Sequence, residues 1–278
     1  MSAATASKLD PTNTFFAVWA HAAQQQVATT TSSFYFSNSP NDYSRTGDLC
    51  QVGFNYDTKQ FSYQRASASI TGSSTPDLNR CMGSQEYYYL SSFADHGWQK
   101  SDDSSDCTVK LLPLEGLNDG LNAGGLTSAQ AQTFVRSLRA EVGLVAVKGL
   151  KLVTRQGRPL LRFDVTVKPI KTGWGYLSLQ NFMWAFKDTG ADPATLPYSY
   201  LGSGGDGLHL SHYVDPSTQL PVYAQIATTP PLDDQGKPEA GEPSYDYYHV
   251  EYAFGGNLPT VNITDTAPLK LLWPSEKL

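Results

Sequence analysis

The sequence predicts a mainly β protein with minor helix, with α+β as the alternative class. It would be built from antiparallel, sandwich-like sheets with one long amphipathic helix, about 127–142, packed on a sheet. Three observations predict this. Leu161-Arg162-Phe163-Asp164-Val165-Thr166-Val167-Lys168 alternates apolar and polar without a fault, the period of a strand with one dry face. Similar short runs, separated by Gly, Asp, Asn and Pro, recur through the chain. One stretch, about 127–142, carries the clearest helical stripe.

The organising segment runs from Gly149 to Ile170. Leu150 to Thr154 joins the alternating run through Arg155-Gln156-Gly157-Arg158, with Gly where a positive φ suits a tight hairpin. A turn at Gln156-Gly157 sets Leu150 against Phe163 and Leu152 against Leu161. It also sets Lys151 against Arg162, a like-charge contact costing up to about 1 kcal/mol. Burying Leu150, Leu152, Leu161, Phe163, Val165 and Val167 gains about 1.5–3 kcal/mol each and outweighs it.

Upstream, Pro11-Thr12-Asn13 starts a helix whose Phe15, Trp19, Ala22 and Ala23 share a face, running to about Gln26. Strands are expected at 33–36, at 50–56 and 61–64 (a hairpin across Asp57-Thr58-Lys59), weakly at 66–71, at 85–90 and at 107–112. An acidic loop occupies 102–106. Residues 116–125, rich in Gly and Asn, mark the best boundary, giving regions 1–117 and 118–278 or a single compact domain. Thr127 and Gln130 form a capping-box pattern, and Ala131, Phe134, Val135, Leu138 and Val142 make the stripe that Gly143 ends. This stripe is expected on the dry face of the hairpin. Further strands are expected at 174–186 (one long strand or two), 198–201, 208–214, 222–228, 245–254, 260–263 and 270–273, with a long loop at 230–243.

Charged residues are only 17%, with 16 Tyr and many hydroxyls taking their place, a balance common in secreted and surface-acting β proteins. The net charge of −6 argues against nucleic acid as the partner. Yet Arg136 to Lys171 holds nine cations against Glu141 and Asp164, a local excess of +7. That excess reads either as solvated faces or as a basic ribbon meeting phosphate, lipid headgroups or an acidic partner. Cys50, Cys81 and Cys107 allow one disulfide at most and have neither zinc-knuckle nor Cys-x-x-Cys spacing. No apolar run reaches the roughly 18 residues of a membrane-spanning helix. Phe15 to Ala20 is too short, and follows Asp10 rather than positive charge, so it reads as structure and not as a signal peptide.

Local motifs name no reaction. Gly202 to Gly207 spells Gly-x-Gly-x-x-Gly, but a strand-like run follows where a phosphate-binding helix would have to start. Asp188-Thr189-Gly190 lacks the apolar lead-in and second copy of an aspartic-protease pair, and reads as a turn. His209 and His212 would be metal ligands on a helix, whereas on a strand they point to opposite faces. With Asp215 they remain a candidate acid–base or metal set, and no cofactor or metal is expected.

The aromatic surplus is the remaining signal. Trp174, Tyr176, Tyr245, Tyr247 and His249 are the expected ligand-binding residues, because flat rings with polar edges suit sugar faces and headgroups. Alternation puts Tyr245, Tyr247, His249 and Glu251 on one face, expected wet, with Tyr248, Val250 and Tyr252 on the other. The leading expectation is a non-enzymatic secreted or surface-acting binding protein (effector, adhesin or toxin component) recognising a glycan or cell-surface ligand through its C-terminal half. The alternatives are a hydrolase with a dispersed His/Asp site and a membrane-active, pore-forming toxin making peripheral membrane contact.

Overall fold

The computed structural model describes residues 2–37, 48–67, 77–82, 85–101, 123–173, 175–177, 179–191, 207–230, 232–233, 235–238 and 245–266. Among them the helices are α1 (Ala3–Ala6), α2 (Pro11–Ala23), α3 (Ser128–Ala140) and α4 (Leu179–Lys187). The strands are β1 (Val27–Ser37), β2 (Asp48–Asn55), β3 (Gln60–Ser67), β4 (Asp77–Met82), β5 (Gln85–Tyr89), β6 (Gln99–Lys100), β7 (Val145–Arg155), β8 (Arg158–Val167), β9 (Ile170–Thr172), β10 (Gly175–Leu177), β11 (Gly207–Asp215), β12 (Leu220–Thr229) and β13 (Tyr245–Phe254).

The protein is mainly β. Eleven strands form one sheet in the order β6-β5-β4-β3-β2-β1-β13-β12-β11-β8-β7, every neighbouring pair antiparallel, and β9 and β10 form a small ribbon apart from it. Strand β1 lies between β2 and β13, from Ala28 opposite Phe254 to Ser37 opposite Tyr245. The first strand of the N-terminal region thus pairs along nearly its whole length with the last described strand of the C-terminal region.

The hairpin β7–β8 has the register that its alternation predicts: Leu150 opposite Phe163, Lys151 opposite Arg162, Leu152 opposite Leu161. Its turn residues Gln156 and Gly157 both take positive φ, 49° and 73°, so the turn twists with the strands. A bulge between Val147 and Gly149 interrupts the pairing near its start.

One face of the sheet carries the helices. Phe15, Phe16, Val18, Trp19 and Ala23 of α2 share a core with Leu161, Phe163, Val165 and Val167 of β8, Leu208 and Leu210 of β11, Ile226 of β12 and Val250 of β13. Helix α2 starts on Pro11 behind Asp10, whose carboxylate accepts the Asn13 N–H at 2.7 Å. It is this helix that crosses β7 and β12. Helix α3 has the expected capping box between Thr127 and Gln130, and its Ala131, Phe134, Val135 and Leu138 enter the same core beside α2 and α4. The stripe stops there. Val142, expected within it, is 90% exposed, because the helix ends at Ala140 and Gly143 turns the chain at φ 90°.

Other expectations change. The run 174–186 is not strand throughout: β9 and β10 make a short ribbon, and Leu179–Lys187 is helix α4. Phe182, Ala185 and Phe186 are buried at helical spacing while Trp184 between them is 40% exposed. Residues 260–263 form no strand, and β4, not foreseen, completes the run from β3 to β5. The expected strands at 107–112, 198–201 and 270–273, the acidic loop and most of the Gly202 loop lie outside the described residues. Leu208 onward is strand, as the alternation predicts.

Candidate functional site

An opening among the described residues lies where the first turns of α2 meet the ends of β8 and β11. It is a half-open cleft of about 370 Å³. Leu161 of β8, Val214 of β11 and Val18 of α2, all buried, make its floor, with Leu9, Ala17 and Pro216 at its sides. Asp10, Asn13, Thr14 and Gln219 supply a carboxylate, two amides and a hydroxyl at its walls. An apolar floor with a few polar groups is the general character of a small-molecule site, and the volume falls at the lower end of the usual range, about 300–1,000 Å³.

Local sequence holds both sides of the cleft in place. On the helix side, Thr14 donates its hydroxyl to the Asp10 carbonyl at 2.7 Å, and Arg139 of α3 donates to the Asn13 side-chain oxygen at 2.9 Å. On the sheet side, Asp215 accepts from the Ser217 N–H at 2.8 Å, the Ser217 hydroxyl at 2.5 Å and Arg158 at 3.0 Å. Burial by itself would raise the Asp215 pKa. The hydrogen bonds from Ser217 and the Arg158 charge outweigh it and hold the carboxyl below its ordinary value. The turn bearing Pro216 and Gln219 is thereby fixed.

The residues expected to bind ligand are placed differently from that expectation. Tyr247 and His249 do share one face of β13 with Glu251, opposite Tyr248, Val250 and Tyr252, but that face is not wet here. Tyr247 is 2% exposed and His249 1%. The neighbouring strands fill the space: the Tyr223 hydroxyl meets His249 Nδ1 at 2.5 Å, and the Arg155 guanidinium lies 3.9 Å from the Tyr223 ring centre and 5.0 Å from that of Tyr213. Burial first, and the Arg155 charge second, push the His249 pKa down to about 4. This buried row of Arg155, Tyr213, Tyr223 and His249 joins residues far apart in sequence, and only the parity of β12, which aligns Tyr223 with Gln225, hinted at it.

Tyr176 is half-buried in β10, with the Lys171 ammonium 5.8 Å from its ring centre and the Gly236 backbone close to its hydroxyl. Tyr245 begins β13, and Trp174 lies outside the described residues. His209 and His212 point to opposite faces of β11, as a strand requires. His209 is exposed beside Thr166, its pKa lowered by partial burial and by Lys168. His212 is enclosed by Phe15 and Tyr252, with neither ring nitrogen hydrogen-bonded. Asp215 is engaged with Arg158 and Ser217 rather than with either histidine. Among the described residues no cluster of three or more His, Cys, Asp or Glu could hold a metal ion, and no helix is long and apolar enough to cross a membrane. Cys81 is disulfide-bonded and Cys50 is a buried thiol.

No protein-family model matches the sequence, and no curated protein matches it. Among solved structures, MucB in complex with MucA(peri) aligns over 90% of this chain at 10% identity with a TM-score of 0.28. This chain spans 57% of that protein's length.

Proposed function

We propose that this is a non-enzymatic binding protein whose ligand is an amphiphile, with its alkyl or aryl part in the cleft beneath α2 and a hydroxylated head, such as the sugar of a glycolipid, at the rim. The observation that carries this reading is the pairing of an apolar floor (Leu161, Val214, Val18) with rim groups that hydrogen-bond (Asp10, Asn13, Thr14, Gln219). The C-terminal half still contributes, through Val214, Pro216 and Gln219 rather than through the tyrosines of β13. The disulfide at Cys81 supports a secreted or surface location, because such bonds persist where the surroundings oxidise.

Calorimetry with octyl glucoside below its micelle-forming concentration tests this. The wild-type protein should bind it, and glucose alone should bind far more weakly. Ala17 is exposed at the cleft wall, so Ala17→Trp fills the opening without entering the core. That variant should keep its melting temperature and lose about tenfold or more in affinity. Equal binding of glucose and octyl glucoside, or unchanged affinity in the folded variant, would overturn the assignment.

A further inference from the structure

The basic excess of the central segment has a definite place in the fold: it surrounds the one long strand that ends the sheet. Strand β7 pairs with β8 on one side, and among the described residues no strand pairs with its other side. Its outer row of backbone N–H and C=O groups is therefore a template for a further strand. At the opposite end of the sheet β6 is only two residues long. Edge strands are commonly blunted by lysines and bulges, and β7 carries both. The bulge, however, is confined to Val147–Gly149, and from Gly149 to Arg155 the pairing with β8 is unbroken.

The charges decide what this edge accepts. Lys148 and Lys151 are exposed on β7, with Arg158 and Lys168 exposed at the two ends of β8, and β7 contains no acidic residue. Asp164 is engaged already with Arg162 at 2.8 Å and Asp215 with Arg158 at 3.0 Å. A second copy of β7, laid antiparallel about Leu150, would crowd both copies of Lys148 and Lys151 along one seam with no acidic residue to offset them, and like charges brought together across a strand pair repel. A strand bearing Glu or Asp at alternate positions would meet those lysines favourably. We propose that the outer edge of β7, from Gly149 to Thr154, receives an extended acidic peptide segment as a twelfth strand, held by main-chain hydrogen bonds and selected by Lys148 and Lys151.

A capped peptide alternating Val and Glu over about ten residues is the probe, measured by fluorescence anisotropy at low salt against a twin with Lys in place of Glu. The acidic peptide should bind, and the basic twin should not. The acidic peptide methylated on alternate backbone nitrogens, which removes one edge of donors, should bind about tenfold more weakly, as should the unmethylated acidic peptide to the Lys148→Glu/Lys151→Glu variant. In the wild-type protein, amide hydrogen exchange should slow across Gly149 to Thr154 on peptide addition, a readout independent of whether the variant folds. Equal binding of the methylated peptide, protection falling elsewhere, or concentration-dependent dimerisation through β7 instead of peptide uptake would overturn the proposal.

Discussion

His212 occupies a place where a proton is costly to accept. The ring is 1% exposed between Phe15 and Tyr252, and burial lowers its pKa from 6.5 to about 4. The unfolded chain takes up this proton as pH falls below about 6.5, while the folded protein does not until about 4. Stability is therefore full above the unfolded value and is lost as pH falls through that window, by about 2 kcal/mol at pH 5 and about 3 kcal/mol at pH 4. Since neither ring nitrogen makes a hydrogen bond, His212→Leu forfeits no polar partner. It should leave stability at pH 7 unchanged or higher and remove about 2 kcal/mol of the loss at pH 5, read from urea midpoints at the two values. An acid slope identical to wild type would exclude His212 as its source. His249, lowered to a similar value, and Asp215, held below its ordinary value, should add to the acid sensitivity that remains. Its contact with Tyr223 gives a second check: Tyr223→Phe removes a buried hydroxyl partner and should cost about 1–2 kcal/mol in the same assay.

The hairpin β7–β8 is the element most completely written in the sequence. Its alternation is a local signal and its turn chemistry fixes the register. Gly157 has φ 73°, and a Cβ added there would touch nothing within 4 Å, so Gly157→Ala should cost about 1 kcal/mol through backbone strain alone. Gln156, a non-glycine residue at φ 49°, should gain several tenths of a kcal/mol on replacement by Asn, which tolerates that region better. Shifts of the urea midpoint in the same direction for both variants would refute this account of the turn. Helix α3 was equally legible, since its cap and stripe lie within a few residues of one another. Helix α4 was not. Its aromatics favour strands by propensity, and the helical spacing of Phe182, Ala185 and Phe186 spans too few residues to override that without the core they pack into. The wetness expected of Tyr247 and His249 failed for a related reason. Alternation assigns a side chain to a face, but whether that face meets water depends on what Arg155, Tyr213 and Tyr223 place over it, and those residues come from other strands.

At the scale of the molecule, the cleft draws on residues from Leu9 to Gln219, and no local pattern could have gathered them. Sequence-distant parts meet elsewhere as well. The C-terminal segment crosses the sheet to its far side, where Arg80 of β4 donates to the carbonyls of Asn262 and Asp265, and where a Cβ on Gly53 would come within 2.7 Å of Pro259. Together with the pairing of β1 and β13, these contacts tie the strands before residue 101 to the C-terminal segment. Unfolding should then be one cooperative event, although the composition marks a boundary near residue 117. Two tryptophans report on the two ends of the sheet. Trp19 is buried in the helix-covered core, and Trp98 lies beside Tyr89 and 5.1 Å below the Arg80 guanidinium. With Trp174, Trp184 and Trp273 changed to Phe, variants in which one of these two is also replaced by Phe leave the other as sole reporter, and they should give coincident fluorescence midpoints in urea once each is referenced to its own circular-dichroism curve. Gly53→Ala, by pushing Pro259 off the sheet, should lower both midpoints together. A Trp98 transition at distinctly lower urea than that of Trp19 would mean that β4–β6 open as a separate unit and that the contacts of Arg80 and Gly53 do not couple the two ends.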